Sequence, residues 1–137
     1  MEFHYQNKSL DTSSPLVMGI LNITPDSFYD GGQYKSDKEL LDKVERHLNN
    51  GAKILDIGAY SSRPGADFVS ADNELKRLLP VVENIIKHFP QTLLSIDTFR
   101  ANIAQKAIES GAFMINDISG GSLDKNMFDL IGRNNTP

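Results

Sequence analysis

Four short apolar runs in this chain each close on an amide or a carboxylate. Leu16 to Leu21 runs into Asn22, Lys53 to Ile57 carries Asp56 near its end, Thr92 to Ile96 runs into Asp97, and Phe113 to Ile115 into Asn116 and Asp117. In parallel α/β folds ligands sit where the strands end, so polar groups at those ends are placed to hold one. Each alone also suits a turn or a helix cap, because short polar side chains bond neighbouring backbone groups. Four in one structural role shift the reading toward a common site. A second grouping, Ser61-Ser62-Arg63-Pro64-Gly65, sets hydroxyls beside a guanidinium whose planar fork matches phosphate oxygens. An exposed arginine by itself is usually only a solvated charge. Gly120-Gly121, ahead of the last helix, lets backbone approach a ligand or simply turn.

Other chemistries have little support. His4, His47 and His88 are not spaced as metal ligands, and no Walker-A, GxGxxG or HExxH pattern is present. With no cysteine, the chain can form neither a disulfide nor a thiolate site, which suits a reducing compartment. The formal charge of −4 argues against a general binder of nucleic acid or anionic membranes. The apolar runs are far shorter than the ~18 residues of a membrane span, and a cytoplasmic location is the default expectation.

The elements that must position the polar strand ends are four repeats of strand, loop and helix. After the first strand, the loop Ile23 to Lys35 holds Pro25, Asp26, Asp30, Gly31 and Gly32. The spacing predicts a first helix opening at Ser36 with Glu39 in a capping box, and closing at Asn50-Gly51. Leu41, Val44 and Leu48 then share one face. A second helix carries Leu75, Leu78, Leu79, Val82, Ile85 and Ile86, with a kink or restart expected at Pro80. A third spans roughly Ala101 to Ser110 before Gly111, and a fourth lies near Asp124 to Ile131.

Continuous apolar strands with helical crossovers indicate a parallel sheet. At about 30 residues per unit, eight units would need about 245 residues, close to a full (β/α)8 barrel. The expected class is therefore α/β, the N-terminal half of a TIM barrel over residues 16–137. An arm or hairpin over residues 1–15 precedes it, where Phe3 and Tyr5 alternate. A small, open, doubly wound sheet is the alternative.

Four blocks carry a more specific signal: Met18 to Phe28 (MGILNITPDSF), Leu55 to Ala66 (LDIGAYSSRPGA), Ser95 to Arg100 (SIDTFR) and Ile115 to Gly121 (INDISGG). In order and spacing they resemble dihydropteroate synthase, and the first block separates the chain from related pterin-binding methyltransferases. The resemblance implies a transferase of folate biosynthesis that condenses 4-aminobenzoate with 6-hydroxymethyl-7,8-dihydropterin pyrophosphate, giving dihydropteroate and pyrophosphate. It implies small-molecule substrates, no nucleic-acid or membrane partner, and competition by sulfonamides at the aminobenzoate position.

By the same resemblance, Asp97 hydrogen-bonds the pterin ring and, as an anion, favours the cationic transition state, while Asn116 offers an amide to the ring edge. Asn22 is the implied amide ligand of Mg2+, with Ser62 and Arg63 gripping phosphate oxygens. Phe28 and Pro64 fall where the two long loops enclose the aminobenzoate. Asp56 stands behind the site, orienting Asn22 or a water, or is only buried polarity. Asp26 and Asp30 hold the closed loop, reach the metal through water, or make turns. Ala59-Tyr60 departs from a common Gly-Glu pair, and Ser62 replaces a usual Thr while keeping the hydroxyl. Family members are about twice this length, and the pterin-binding Asp, the Lys and the Ser-x-Arg of their later strands are not located here. The 137-residue chain alone is accordingly expected to be inactive. Alternatives are a non-catalytic half-barrel module that associates through exposed sheet edges into a homo-oligomer, and a pterin-dependent methyltransferase domain.

Overall fold

A computed structural model describes residues 1–23, 33–60 and 68–137 of the chain. Strands β1 (Glu2–Tyr5) and β2 (Lys8–Asp11) form an antiparallel hairpin with Phe3 opposite Leu10. Strands β3 (Val17–Asn22), β4 (Ala52–Gly58), β5 (Leu93–Asp97) and β6 (Met114–Asn116) then pair in parallel, in chain order. Between and after them run α1 (Gln33–Asn49), α2 (Ala71–His88), α3 (Ala101–Glu109) and α4 (Met127–Asn134). A doubly wound sheet reverses its strand order at a switch point. The order β3-β4-β5-β6 contains no reversal, so the sheet is an arc of a (β/α)8 barrel and the open-sheet alternative falls.

Alternation along each strand divides the arc into two faces. Leu21, Leu55, Ile57, Leu94 and Ile96 point to the helical side, where Val44, Leu78, Val82, Ile85, Ile103 and Ala107 bury them. Such a layer of aliphatic side chains, each stabilising by ~1.5–3 kcal/mol when fully buried, is the main support of the sheet. On the other face the hairpin closes the N-terminal end of the arc. Leu10 packs with Ile54, Leu93 and Phe113, Tyr5 meets Phe113 edge-on at 6.3 Å, and Lys8 Nζ donates to the Thr92 carbonyl at 2.8 Å. The expected hairpin over residues 1–15 therefore has a packing role. The same face remains open toward the C-terminal ends of the strands, where polar groups replace aliphatic ones.

Three local expectations need correction. Helix α1 begins at Gln33, so Ser36 lies within its first turn and is not the cap. No Gly or Pro in Gln33-Tyr34-Lys35 stops the helix from starting earlier. Of the kink or restart expected at Pro80, the restart does not occur: helix α2 continues from Ala71 to His88. Burial of Leu78, Val82 and Ile85 on the sheet offsets the ~3 kcal/mol that an interior proline costs. The last helix starts at Met127, three residues beyond Asp124, whose carboxylate is shared: Oδ2 accepts the Ala101 N–H at 2.8 Å at the start of α3, and Oδ1 accepts the Asn126 N–H at 3.0 Å in the turn ahead of α4.

Helix α1 lies so close to β3 that Gly19 has no room for a side chain. A Cβ there would stand 2.9 Å from His47 Nδ1 and 3.0 Å from Leu55 Cδ2. Gly19→Ala should therefore destabilise the fold by ~1–3 kcal/mol through overpacking. In urea unfolding this reads as a lower midpoint at unchanged slope.

Candidate active site

The strand register builds the site. Asn22 pairs with Gly58, Gly58 with Asp97, and Asp97 with Asn116, so these residues form one row across the C-terminal edge of the sheet. Two residues lower, Ile20, Asp56, Ser95 and Met114 form the next row on the same face. Asn22, Asp56, Asp97 and Asn116 thus converge on the open inner face of the arc. Gly58 leaves space in the middle of the upper row, for a Cβ there would lie 3.3 Å from Asp97 Oδ2.

Asp56 is buried, and its Oδ2 accepts a hydrogen bond from Asn116 Nδ2 at 3.2 Å. The bond crosses β5 and orients Asn116, whereas the sequence had suggested Asn22 or a water as the group Asp56 would orient. The other carboxylate oxygen, Asp56 Oδ1, and the Ser95 hydroxyl beside it are both buried without a hydrogen-bond partner among the described residues. An unsatisfied buried polar atom costs ~1–3 kcal/mol, so these two neighbours place an energetic cost beneath the upper row.

Asp97 is half-buried and accepts a hydrogen bond from the Tyr60 hydroxyl at 3.2 Å. Burial, then the nearby Asp56 carboxylate, push its pKa above the ordinary range; the Tyr60 bond pulls the other way, and Glu74 and Asp117 add to the rise. Asp97 is not the cap of α3, since Asp124 takes the Ala101 N–H and Thr98 Oγ1 accepts the Arg100 N–H at 3.3 Å. Asp117, by contrast, does serve a turn: its carboxylate accepts the N–H groups of Ser119 at 2.8 Å and Gly121 at 2.9 Å. Gly120 and Gly121 carry the positive φ values, 57° and 80°, that this turn requires.

Asn22 lies exposed at the end of β3, and its side-chain amide has no hydrogen-bond partner among the described residues. Phe28, Ser62, Arg63 and Pro64, with Asp26 and Asp30, lie outside the described residues. Among the described residues no group of three or more His, Asp or Glu side chains is gathered to hold a metal.

Sequence reasoning passed over the support behind Asp97. Glu74 of α2 is fully buried; its Oε1 accepts from Thr98 Oγ1 at 2.7 Å and its Oε2 pairs with Arg100 Nη1. Arg100 Nη2 donates to the Val69 carbonyl at 2.7 Å, and the guanidinium lies 4.7 Å from the Phe99 ring centroid. The available signal was Glu74 itself, a carboxylate in helical phase with the apolar Leu78, Val82 and Ile85.

Residues 18–137 match the model of a family described as pterin binding enzymes. The chain belongs to that family. Among its pterin-binding relatives, the dihydropteroate synthase of Bacillus subtilis is 49% identical over 123 residues, covering 89% of this chain and 42% of the relative. The crystal structure of 7,8-dihydropteroate synthase from Vibrio fischeri superposes with a TM-score of 0.86 at 41% identity, over 100% of this chain and 48% of that one. The dihydropteroate synthase of Xanthomonas albilineans, solved with 4-aminobenzoic acid, gives a TM-score of 0.88 at 35% identity, over 99% and 50%. The chain therefore spans about half the length of these pterin-binding proteins. Among the described residues no helix is long and apolar enough to cross a membrane.

Proposed function

We propose that this chain supplies the pterin and pyrophosphate end of a dihydropteroate synthase site, in which 4-aminobenzoate displaces pyrophosphate from a hydroxymethyl-dihydropterin ester. The observation that carries the reading is the row Asn22, Gly58, Asp97 and Asn116 on one face, set above the buried Asp56 Oδ1 and Ser95 Oγ, which have no hydrogen-bond partner among the described residues. Breaking the carbon–oxygen bond builds positive charge on the pterin methylene and negative charge on the leaving group. A pocket that stabilises both must present opposite characters at its two ends.

Asp97 supplies the negative end. Its carboxylate binds the pterin ring and favours the cationic transition state, and the Asn116 amide, held by Asp56, meets the ring edge. At the other end Asn22 presents at the rim an amide oxygen without a partner among the described residues, the hard donor that Mg2+ accepts alongside substrate phosphate oxygens. Asn22 would hold the ion, which when bound supplies charge neutralisation to the departing pyrophosphate. Ser62 and Arg63 grip the phosphate oxygens, and Phe28 and Pro64 enclose the aminobenzoate and exclude water. A cytoplasmic setting belongs to the same proposal and suits a cysteine-free chain.

Calorimetric titration of the chain with the dihydropterin pyrophosphate tests this. Removing Mg2+ with EDTA should weaken binding at least about tenfold, or ~1.4 kcal/mol, and Asn22→Ala should abolish that metal dependence. Binding that ignores EDTA, or that favours a methylated folate over the pterin ester, would turn the reading toward the methyltransferases. Turnover by the chain alone should be negligible.

A second reading is favoured by Val17 and Ile20 of β3, both 58% exposed, and by the outer edge of β3, which pairs with no further strand among the described residues. We infer that further strands cover this surface, from a longer polypeptide or from a second copy. Light scattering that finds only monomers at high concentration removes the second-copy version.

A further inference from the structure

We propose that Tyr60 is a positioning residue for Asp97, whose phenolic O–H fixes the carboxylate in aim and in charge toward the open face of the arc. The use of Asp97 to bind pterin rests on the function proposed above; the Tyr60 contact itself does not.

The first support is the company that Asp97 keeps. Three carboxylates act on it: Asp56 from β4, Glu74 from α2 and Asp117 from the segment after β6. Arg100, a cation three residues on, is turned to Glu74 and to the Val69 carbonyl. Among the described residues the Asp97 side chain therefore has one hydrogen-bond donor, the Tyr60 hydroxyl at 3.2 Å. Burial and like charges disfavour the anion, and a hydrogen bond from such a donor favours it.

The second support is how the donor is held. Tyr60 follows β4 by two residues, and its ring meets Phe99 edge-to-face at 5.3 Å and 89°. Phe99 is in turn covered by the Arg100 guanidinium. The hydroxyl is thus carried on a ring that rests against the residue two positions after Asp97. Burial and the adjacent Asp97 also raise the phenol's own pKa, so that it stays a donor across the working pH range. A side chain serving only to pack against Phe99 would not need its oxygen.

The experiment is a 13C NMR titration of the Asp97 carboxyl in the 137-residue chain without ligand, comparing the parent with Tyr60→Phe. Phenylalanine keeps the ring and its contact with Phe99 while removing the donor. The expected result is an upward shift of the Asp97 titration. In the reciprocal measurement, Asp97→Asn should lower the pH at which Tyr60 ionises, because the coupling between two groups is mutual. An Asp97 titration unchanged in Tyr60→Phe, or a Tyr60 titration unchanged in Asp97→Asn, overturns the proposal. If the phenylalanine variant disturbs the fold, the reciprocal measurement still decides. No pterin is present, so failure of the pterin reading leaves this result standing and failure here leaves the pterin reading standing. With pterin added, Tyr60→Phe should weaken binding most at mildly acidic pH and recover as pH rises, a profile that simple loss of packing does not produce.

Discussion

Glu74→Ala should cost ~3–5 kcal/mol, the range for removing one partner of a buried ion pair. Against a typical domain stability of ~5–15 kcal/mol, that is enough to leave much of the chain unfolded on mild warming. The loss has two sources. Glu74 is fully buried, so its removal leaves the Arg100 guanidinium, with a side chain only 13% exposed, without its counter-charge. It also strands the Thr98 hydroxyl, which donates to the same carboxylate. Glu74→Gln keeps an acceptor for Thr98 and should fall between parent and alanine. The double variant Glu74→Leu with Arg100→Met should recover most of the loss, because neither charge then has to be buried. Urea unfolding of the parent, Glu74→Leu, Arg100→Met and the double variant, treated as a double-mutant cycle, gives the coupling directly. An alanine variant within ~0.5 kcal/mol of the parent would show that the pair is no more than a surface bridge.

This network bears on what the sequence could reveal. The polar ends at Asn22, Asp97 and Asn116 were legible because strand side chains alternate and the apolar runs end at equivalent points. Once the strands pair in order, the residues fall into one row without further information. The barrel arc was legible for a similar reason, since four equal strand–helix repeats leave few arrangements. Partners across the fold were not legible. That Asp56 bonds Asn116, 60 residues away, depends on both reaching past β5 on the inner face. That Asp124 serves the start of α3 as well as the turn ahead of α4 depends on a contact 23 residues back in the chain. Tyr60 was noted as a departure from a common residue, but its role depends on the position of Asp97, 37 residues on. Local pattern gives each residue a face; it does not say which side chain on the next element will meet it.

The most discriminating single substitution is Asp97→Asn, because it should move stability and binding in opposite directions. Burial and the Asp56 charge raise the Asp97 pKa in the folded chain above the ordinary carboxylate value of about 4. Between those two values the folded state holds a proton that the unfolded state has released, so stability falls as pH rises through the window. Above the folded-state value the cost is present in full, and the native fold carries an anion that it disfavours. Asparagine keeps an oxygen to accept the Tyr60 bond, has nearly the same shape and brings no charge. Thermal unfolding should therefore show Asp97→Asn to be more stable than the parent at neutral pH and to lose the advantage once the parent's carboxyl is protonated. Pterin affinity should fall by ~1.5–3 kcal/mol, roughly 10- to 150-fold, the usual worth of a hydrogen bond to a charged group. A group that serves the fold loses stability when neutralised, whereas one kept for a ligand releases it. A variant less stable than the parent at neutral pH, with pterin affinity intact, would place Asp97 in the first class and remove the negative end from the proposed site.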